Sequence, residues 1–231
     1  IFRISQERFP SLVLGLTLLL CSFFAYQASH LYVTNDPLSY FPEDRQLITD
    51  TRTIHEDLAG IKVFFVTLEA ETTNAFMDIE KLQSIDKIQK FIDKQNVFDT
   101  TLSIADHLKY VNKEFQGDFA GGTLPQSKQL AAQYLMFFHR SELESYISHD
   151  FSRANIIVRH NISDSYTLNR YVTELRDFVD QITGPEIKAR VVGENLLINK
   201  AADNLMLSQV QALILLLSLI FIIMSIIFSV M

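Results

Sequence analysis

Hydrophobic residues are concentrated at the two ends of this chain. Near the N-terminus, Ser11–Val33 is an apolar run whose only titratable side chain, apart from Tyr and Cys, belongs to His30. Near the C-terminus, no charged residue occurs from Asn204 to Met231. A helix crosses a hydrocarbon core of about 30 Å with about 20 apolar residues. The pattern therefore predicts a transmembrane helix within residues 1–33 and another over residues 207–231.

A cleavable signal peptide is the alternative interpretation of the first apolar run. Signal peptides have an apolar core of about 7 to 15 residues followed by a cleavage site of the A-x-A type. The run here is longer, and no such site follows it. An uncleaved membrane helix is therefore the preferred interpretation.

The segment between the two runs begins with a helix and a β-α-β pattern. Residues 48–58 have the periodicity of an amphipathic helix, and 61–69 is rich in the β-branched and aromatic residues of a strand. Over 78–95, isoleucine and leucine recur every three or four residues between polar side chains, which predicts a helix with one buried stripe. Residues 97–103 return as a strand, completing a first unit over about 61–103.

The same order of elements recurs later in the chain. A strand over 155–162 precedes a helix that Asp164 caps and that ends at Gly184, and a strand over 187–192 follows. These elements form a second β-α-β unit over about 155–193. Two such units match a split βαβ, ferredoxin-like sheet with both helices on one face. The predicted fold class is therefore α+β.

The two units are joined by a helical insertion within a predicted domain of residues 34–206. The insertion covers about 105–152 and contains helices over 107–115 and 127–138, with a Gly-rich turn at 117–122 between them. Its irregular pattern makes it the part of the domain where a specific surface is expected.

Charge predicts the orientation of the chain in the membrane. Arg3 and Arg8 flank the first span. Between the spans there are 18 Lys and Arg residues (20 less Arg3 and Arg8) and 26 Asp and Glu residues (27 less Glu7). The net charge of this segment is therefore −8. Positive flanks stay on the cytoplasmic side. We therefore expect a multi-pass protein of the cell inner membrane, with a cytoplasmic N-terminus and residues 34–206 extracytoplasmic.

Several local strings, in this order and spacing, resemble the resistance-nodulation-division (RND) transporter superfamily. Asn35–Pro42 lies just outside the first span, and Leu58–Gly60 precedes a strand rich in Phe and Val. Val191–Glu194 is followed by Asn199–Gln209, which leads into the second span. The resemblance covers the whole chain and is closest to the MMPL-like branch of exporters of lipids and hydrophobic or amphiphilic molecules.

The resemblance implies a role within a larger machine. In that family a first helix, a ferredoxin-like porter domain and a helical block are followed by a second copy, and acidic residues of a central helix carry protons. The chain starts at Ile1 and stops at Met231, before any cytoplasmic flank, so we expect it to be a fragment with a truncated second span. The implied partners are the remaining membrane helices, a second porter domain, membrane lipids, a hydrophobic or lipid substrate, and periplasmic or oligomeric partners.

The chain departs from the family at the proton relay. Such a relay needs ionisable residues inside the membrane, and neither predicted span contains Asp, Glu, Lys or Arg. The relay is therefore expected outside this sequence. We accordingly predict a porter segment of a proton-driven exporter, and no enzymatic activity.

Other chemistry has little support, and the sequence predicts no catalytic, cofactor-binding or metal-binding residues. The histidines lack the spacing of metal ligands on one helix. They are His30, His55, His107, His139, His149 and His160. A hydrolase cluster was weighed against a solvated, charged surface, and the surface is favoured. Its members are His139, Glu142, Glu144, His149 and Asp150. No phosphate-binding loop occurs and the domain is acidic, which argues against nucleic-acid binding.

A two-span receptor is the competing class. A helix, an extracytoplasmic α/β domain and a second helix also describe a membrane receptor that senses a ligand. The sequence beyond Met231 separates the two hypotheses, because a signalling coiled coil favours the receptor and four further hydrophobic spans favour the transporter.

The predicted orientation is testable by labelling. Cysteines placed at Gln6 and at Gly121 should react from opposite sides of the membrane, because the positive flank of the first span retains the N-terminus in the cytoplasm. Accessibility of both cysteines from one side would rule out the two-span arrangement.

Overall fold

The computed structural model describes residues 10–29, 41–58, 60–116 and 122–230. The chain forms two compact units, residues 1–33 and residues 34–231. In the first unit, helix α1 covers Pro10–Ser29. The second unit contains a mixed α+β domain and a long C-terminal helix.

Four strands and seven further α-helices are described in the second unit. The strands are β1 (Lys62–Ala70), β2 (Thr100–Leu102), β3 (Arg153–His160) and β4 (Ile187–Val192). The helices are α2 (Gln46–Leu58), α3 (Ile79–Lys94), α4 (Ile104–Gln116), α5 (Lys128–Leu135), α6 (Arg140–Leu143), α7 (Ser165–Thr183) and α8 (Glu194–Val230), with a 3₁₀ turn at Ala75–Met77.

The strands form one antiparallel sheet in the order β2-β3-β1-β4. This confirms that the four predicted strands share a sheet. Alternate residues of β1 and β3 are buried, since successive side chains of a strand point to opposite faces. Helices α3 and α7 contact each other on the buried face, where the rings of Phe91 and Phe178 stack with centroids 3.9 Å apart. Both predicted helices therefore lie on the same face.

The helical stripes read from the sequence form the core of this domain. In α3, the buried apolar residues are Leu82, Ile85, Ile88 and Ile92. In α7 they are Leu168, Val172, Leu175 and Val179. Asp164 caps α7 as predicted, accepting hydrogen bonds from the backbone N–H groups of Tyr166 and Thr167, and the helix ends at Gly184 with φ +66°.

Strand β2 is shorter than predicted. The expected strand covered residues 97–103, but only Thr100–Leu102 forms one. Before it, Asn96 closes α3 with φ +52°. This left-handed conformation is visited by single residues and does not continue into a strand. At the end of β2, the N–H of Ser103 donates to the carboxylate of Asp106 at 2.8 Å and not to a neighbouring strand.

The insertion helices differ from their predicted bounds because of local capping. Helix α4 begins at Ile104, three positions before the predicted start at 107, since Ser103 and Asp106 form a capping box. Helix α5 ends at Leu135, because residues 136–138 tighten into turns that bond three residues back. The predicted Gly-rich turn at 117–122 lies outside the described residues, except for Gly122 with φ +75°.

His160 is a titratable side chain buried at the end of β3. Its Nδ1 accepts a hydrogen bond from the N–H of Ile162 at 3.2 Å, and its ring packs between Phe64 and Phe98. The buried Nε2 has no partner among the described residues. Burial, and to a smaller extent the positive charge of Lys62, lowers the pKa of His160 to about 4. The native domain therefore holds this imidazole neutral.

The buried imidazole should make stability depend on pH. An unfolded histidine has a pKa of about 6.5, so its protonation favours the unfolded chain as the pH falls below that value. We expect the His160 contribution to be complete above about pH 6.5 and to decline by about 3 kcal/mol as the pH falls toward about 4. Thermal unfolding followed by circular dichroism at several pH values measures this slope.

A pair of variants isolates the contribution of His160. His160→Asn should flatten the slope between about pH 6.5 and 4.5, because its amide does not titrate. His139→Asn, at an exposed position, should leave the slope unchanged. Equal slopes for the wild type and His160→Asn would contradict the prediction.

Candidate functional site

The junction between β4 and α8 is tightly packed. Strand β4 ends at Val192 and α8 begins at Glu194, so one residue, Gly193, connects them. A Cβ atom at Gly193 would lie 2.7 Å from the Cβ of Phe64, which is itself buried. Only glycine fits here without displacing the central strand of the sheet.

The first turns of α8 belong to the domain. The side chains of Leu196 and Asn199 are 8% and 6% exposed, and the helix contacts β1. The amide of Asn169 on α7 donates to the carboxylate of Asp203 at 3.3 Å. Helix α8 is therefore attached to the sheet and to α7, and its start lies within residues 34–206 rather than at 207.

The rest of α8 has the composition of a membrane span. Asp203 is its last charged residue, and the side chains that follow are exposed and largely apolar as far as the structure describes them. Among the described residues, this is the one helix that is long and apolar enough to cross a membrane, which is weak evidence of membrane association. The apolar piece found in α1, Gly15–Ala28, falls short of that length, so the first span stays a prediction.

The sheet face opposite α3 and α7 carries an apolar row. Strand pairing places Leu102, Ile157, Phe65 and Val192 side by side across the four strands. Leu102 and Val192 at the edges are 37% and 45% exposed. On the central strands, the residues of this face, such as Phe65 and Ile157, are only partly buried, whereas those of the other face are buried.

Beside this row the face is charged. Glu69 lies on the central strand between two arginines, with Arg153 at 3.0 Å and Arg190 at 4.0 Å. These pairs are substantially exposed and contribute little to stability.

A second concave feature lies in the insertion. Helices α5 and α6 and the 3₁₀ turn border an open cleft of about 590 Å³. Its walls include Met77, Leu135, Phe138, Leu143 and Phe151. The volume lies within the range of about 300–1,000 Å³ typical of small-molecule sites, which likewise have mostly apolar walls.

The histidines weighed as metal ligands are dispersed. His107 donates from Nδ1 to the carbonyl of Ser103 at 2.9 Å and packs against Phe138 and Tyr146. His139 and His149 are exposed. His30 and the side chain of His55 lie outside the described residues. Within the described part of the chain, no group of three His, Cys, Asp or Glu side chains has a geometry that can hold a metal.

The carboxylates weighed as hydrolase residues lie on the surface. Glu142 and Glu144 are exposed, and Asp150 organises a turn. Hydrogen bonds from the hydroxyls of Ser148 and Ser152 lower the pKa of Asp150 to about 2. Asp150 is therefore ionised, and its carboxylate accepts hydrogen bonds from within its own turn.

Sequence reasoning did not identify Gly193 or the cleft as sites. The signal for Gly193 was present, since a glycine directly after a strand and before an apolar helix indicates close backbone packing. For the cleft, the sequence indicated only that the insertion could carry a specific surface, and not which residues form it. Its walls come from segments far apart in sequence, and Phe151 adopts φ +54°. A phenylalanine rarely takes that left-handed conformation, so its residue type does not predict it.

The close packing at Gly193 predicts that adding a single methyl group there lowers the stability of the domain. Gly193→Ala should destabilise the domain by about 1–3 kcal/mol, because the added Cβ must displace Phe64 or the helix. Thermal unfolding measures the loss. Gly15→Ala, where a Cβ meets nothing within 4 Å, should not lower the melting temperature. A wild-type melting temperature for Gly193→Ala would show that the junction is loosely packed.

No protein-family model and no curated protein sequence matches this chain. The resemblance to the RND superfamily rests on the strings quoted above and stays a prediction. The structure gives a physical reason for two of their glycines. Gly193 packs against Phe64, and Gly60 has φ +76° and lies where a Cβ would come within 2.8 Å of the backbone nitrogen of His160.

Proposed function

We propose that this chain is part of a proton-driven RND-type membrane transporter that exports lipids or other hydrophobic or amphiphilic molecules. In this proposal the segment supplies a porter domain and not the proton relay. The observation that carries it is the direct connection of β4 through Gly193 to α8. A domain joined to a membrane helix by one tightly packed residue moves with that helix, as alternating access requires.

A ferredoxin-like fold of the porter domain is part of the proposal. The strand order β2-β3-β1-β4 supports it, because each half of the domain contributes one central and one edge strand. The β-α-β connections through α3 and through α7, with both helices on one face, agree with a split βαβ arrangement.

Two flanking membrane helices, a multi-pass location in the inner membrane and an extracytoplasmic domain complete the proposed topology. Helix α1 has 20 residues. A helix of that length spans about 30 Å, at about 1.5 Å per residue. The charge-free part of α8 supports the second span. Arg3 and Arg8 before the first helix support a cytoplasmic N-terminus.

The open face of the sheet is the proposed contact for a second porter domain. An apolar row bordered by charged residues resembles the combination found at protein interfaces, where apolar area is covered and polar groups form the rim. The remaining membrane helices of the transporter would surround the apolar surface of α8, together with lipid.

The receptor remains the second candidate. A helix that continues from the sheet into the membrane would equally transmit a ligand-induced movement of the domain. The coding sequence after Met231 separates the two, because further hydrophobic spans favour transport and a signalling coiled coil favours the receptor. Proton-dependent export by the complete protein, lost on collapse of the gradient and weakened by Gly193→Ala, tests the proposal itself.

Residues 1–231 alone should transport nothing. After reconstitution in liposomes with an imposed proton gradient, we expect no movement of a hydrophobic dye or lipid beyond that of protein-free liposomes. The reason is that neither predicted span contains an acidic residue that can couple movement to protons. Gradient-dependent movement by this fragment would show that the coupling residues lie within it.

A further inference from the structure

The cleft in the insertion contains a cation that has no ion-pair partner among the described residues. The guanidinium of Arg140 lies 5.0 Å from the centroid of the Phe151 ring, and one of its amino groups donates to the carbonyl of Ser148 at 2.8 Å. Its Nε is buried and has no hydrogen-bond partner among the described residues. No carboxylate of the described part of the chain lies within ion-pair distance of Arg140.

The other charges around the cleft do not compensate Arg140. Lys128 pairs with Asp78 at 3.2 Å, and both side chains are about half exposed. Asp150, in the turn beside Phe151, is exposed and does not line the cleft. The lining residues include two cations, Lys128 and Arg140, and no Asp or Glu. The lining therefore has a positive bias, and a partly buried cation in an apolar setting is stabilised by an anion.

An apolar surface continues from the mouth of the cleft. Met136 lines the cleft and is 82% exposed. The adjacent Phe137 is 63% exposed, and its ring packs against that of Phe115 with centroids 5.1 Å apart. Such a run of exposed apolar side chains is unusual on a soluble surface unless it contacts a ligand, a protein or a membrane.

We propose that this cleft binds a single-chain anionic amphiphile. The acyl chain lies against Met77, Leu135 and Phe138 and continues over Met136, and the anionic head group pairs with Arg140. The binding itself does not depend on transport. Only its role as a substrate or effector site of an exporter rests on the function proposed above.

Photolabelling tests the location of the site. The 231-residue chain in nanodiscs of uncharged phosphatidylcholine is incubated with palmitate that carries a diazirine on its chain, and adducts are mapped by mass spectrometry. We expect adducts within residues 128–143. Ala132→Phe fills the cleft and should reduce this labelling at least about fivefold. Gln133→Phe adds the same ring to the same helix outside the cleft and should leave labelling unchanged.

Competition tests the head group. Unlabelled palmitate should compete at least about tenfold better than hexadecanol, which has the same chain without the charge. Arg140→Gln should remove that difference and Arg140→Lys should restore part of it. Lysophosphatidic acid distinguishes the head groups, because its competition identifies phosphate as an accepted anion, while competition by palmitate alone identifies carboxylate. Circular dichroism confirms that each variant is folded, and the comparison of palmitate with hexadecanol in the wild type decides the question if Arg140→Gln unfolds.

Two results would overturn the inference. One is labelling that is confined to α1 and the apolar part of α8 or that is equal in Ala132→Phe and the wild type. The other is equal competition by hexadecanol and both anionic competitors. Because binding is measured without a gradient, neither result bears on whether the complete protein transports, and an absence of transport would leave the cleft result intact.

Discussion

The domain depends on completing the hydrogen bonds of strand β1. This strand lies inside the sheet and pairs with β3 on one side and β4 on the other, and both partners come from the second half of the domain. Its buried residues Phe64, Val66 and Leu68 are fully covered. The first β-α-β unit therefore cannot bury its own central strand, and the two halves must fold as one body. Such pairing between distant segments forms slowly, because the chain loses entropy in closing the loop before the stabilising contacts form.

This interleaving explains why the insertion can carry a site. Residues 104–152 enter and leave the sheet at β2 and β3, which are neighbours, so the segment between them is free to vary as long as its ends meet. It is nonetheless well packed. Asn112 bonds to Tyr134 at 3.0 Å and to the carbonyl of Thr123 at 3.0 Å, which joins α4 to α5. The cleft is thus built on helices held by buried polar contacts.

Periodicity revealed the elements that face the core, and local chemistry decided the rest. The stripes of α3 and α7 were readable because burial on one side imposes a repeat of three to four residues. The bounds of β2 and α4 depended on one side chain, Asp106, which bonds the N–H of Ser103 and ends the strand where the helix begins. The sequence contains this capping pair, Ser103 and Asp106, but the predicted start of the helix at 107 was based on apolar periodicity alone. The residues of the cleft were not predictable from periodicity. The guanidinium of Arg140 lies over the ring of Phe151 because it also bonds the carbonyl of Ser148, in the turn that precedes Phe151.

Helix α8 has 37 residues and contains neither proline nor glycine. Helices kink at such residues or at local defects, so this one has no sequence-encoded hinge. At about 1.5 Å per residue it is about 55 Å long, well beyond a hydrocarbon core of about 30 Å. Its first turn is fixed to the sheet at Gly193, Leu196 and Asn199. A rotation of about 10° about these residues would displace the far end of a straight helix of this length by about 10 Å, so a small rearrangement of the sheet would become a large displacement at the other end of α8.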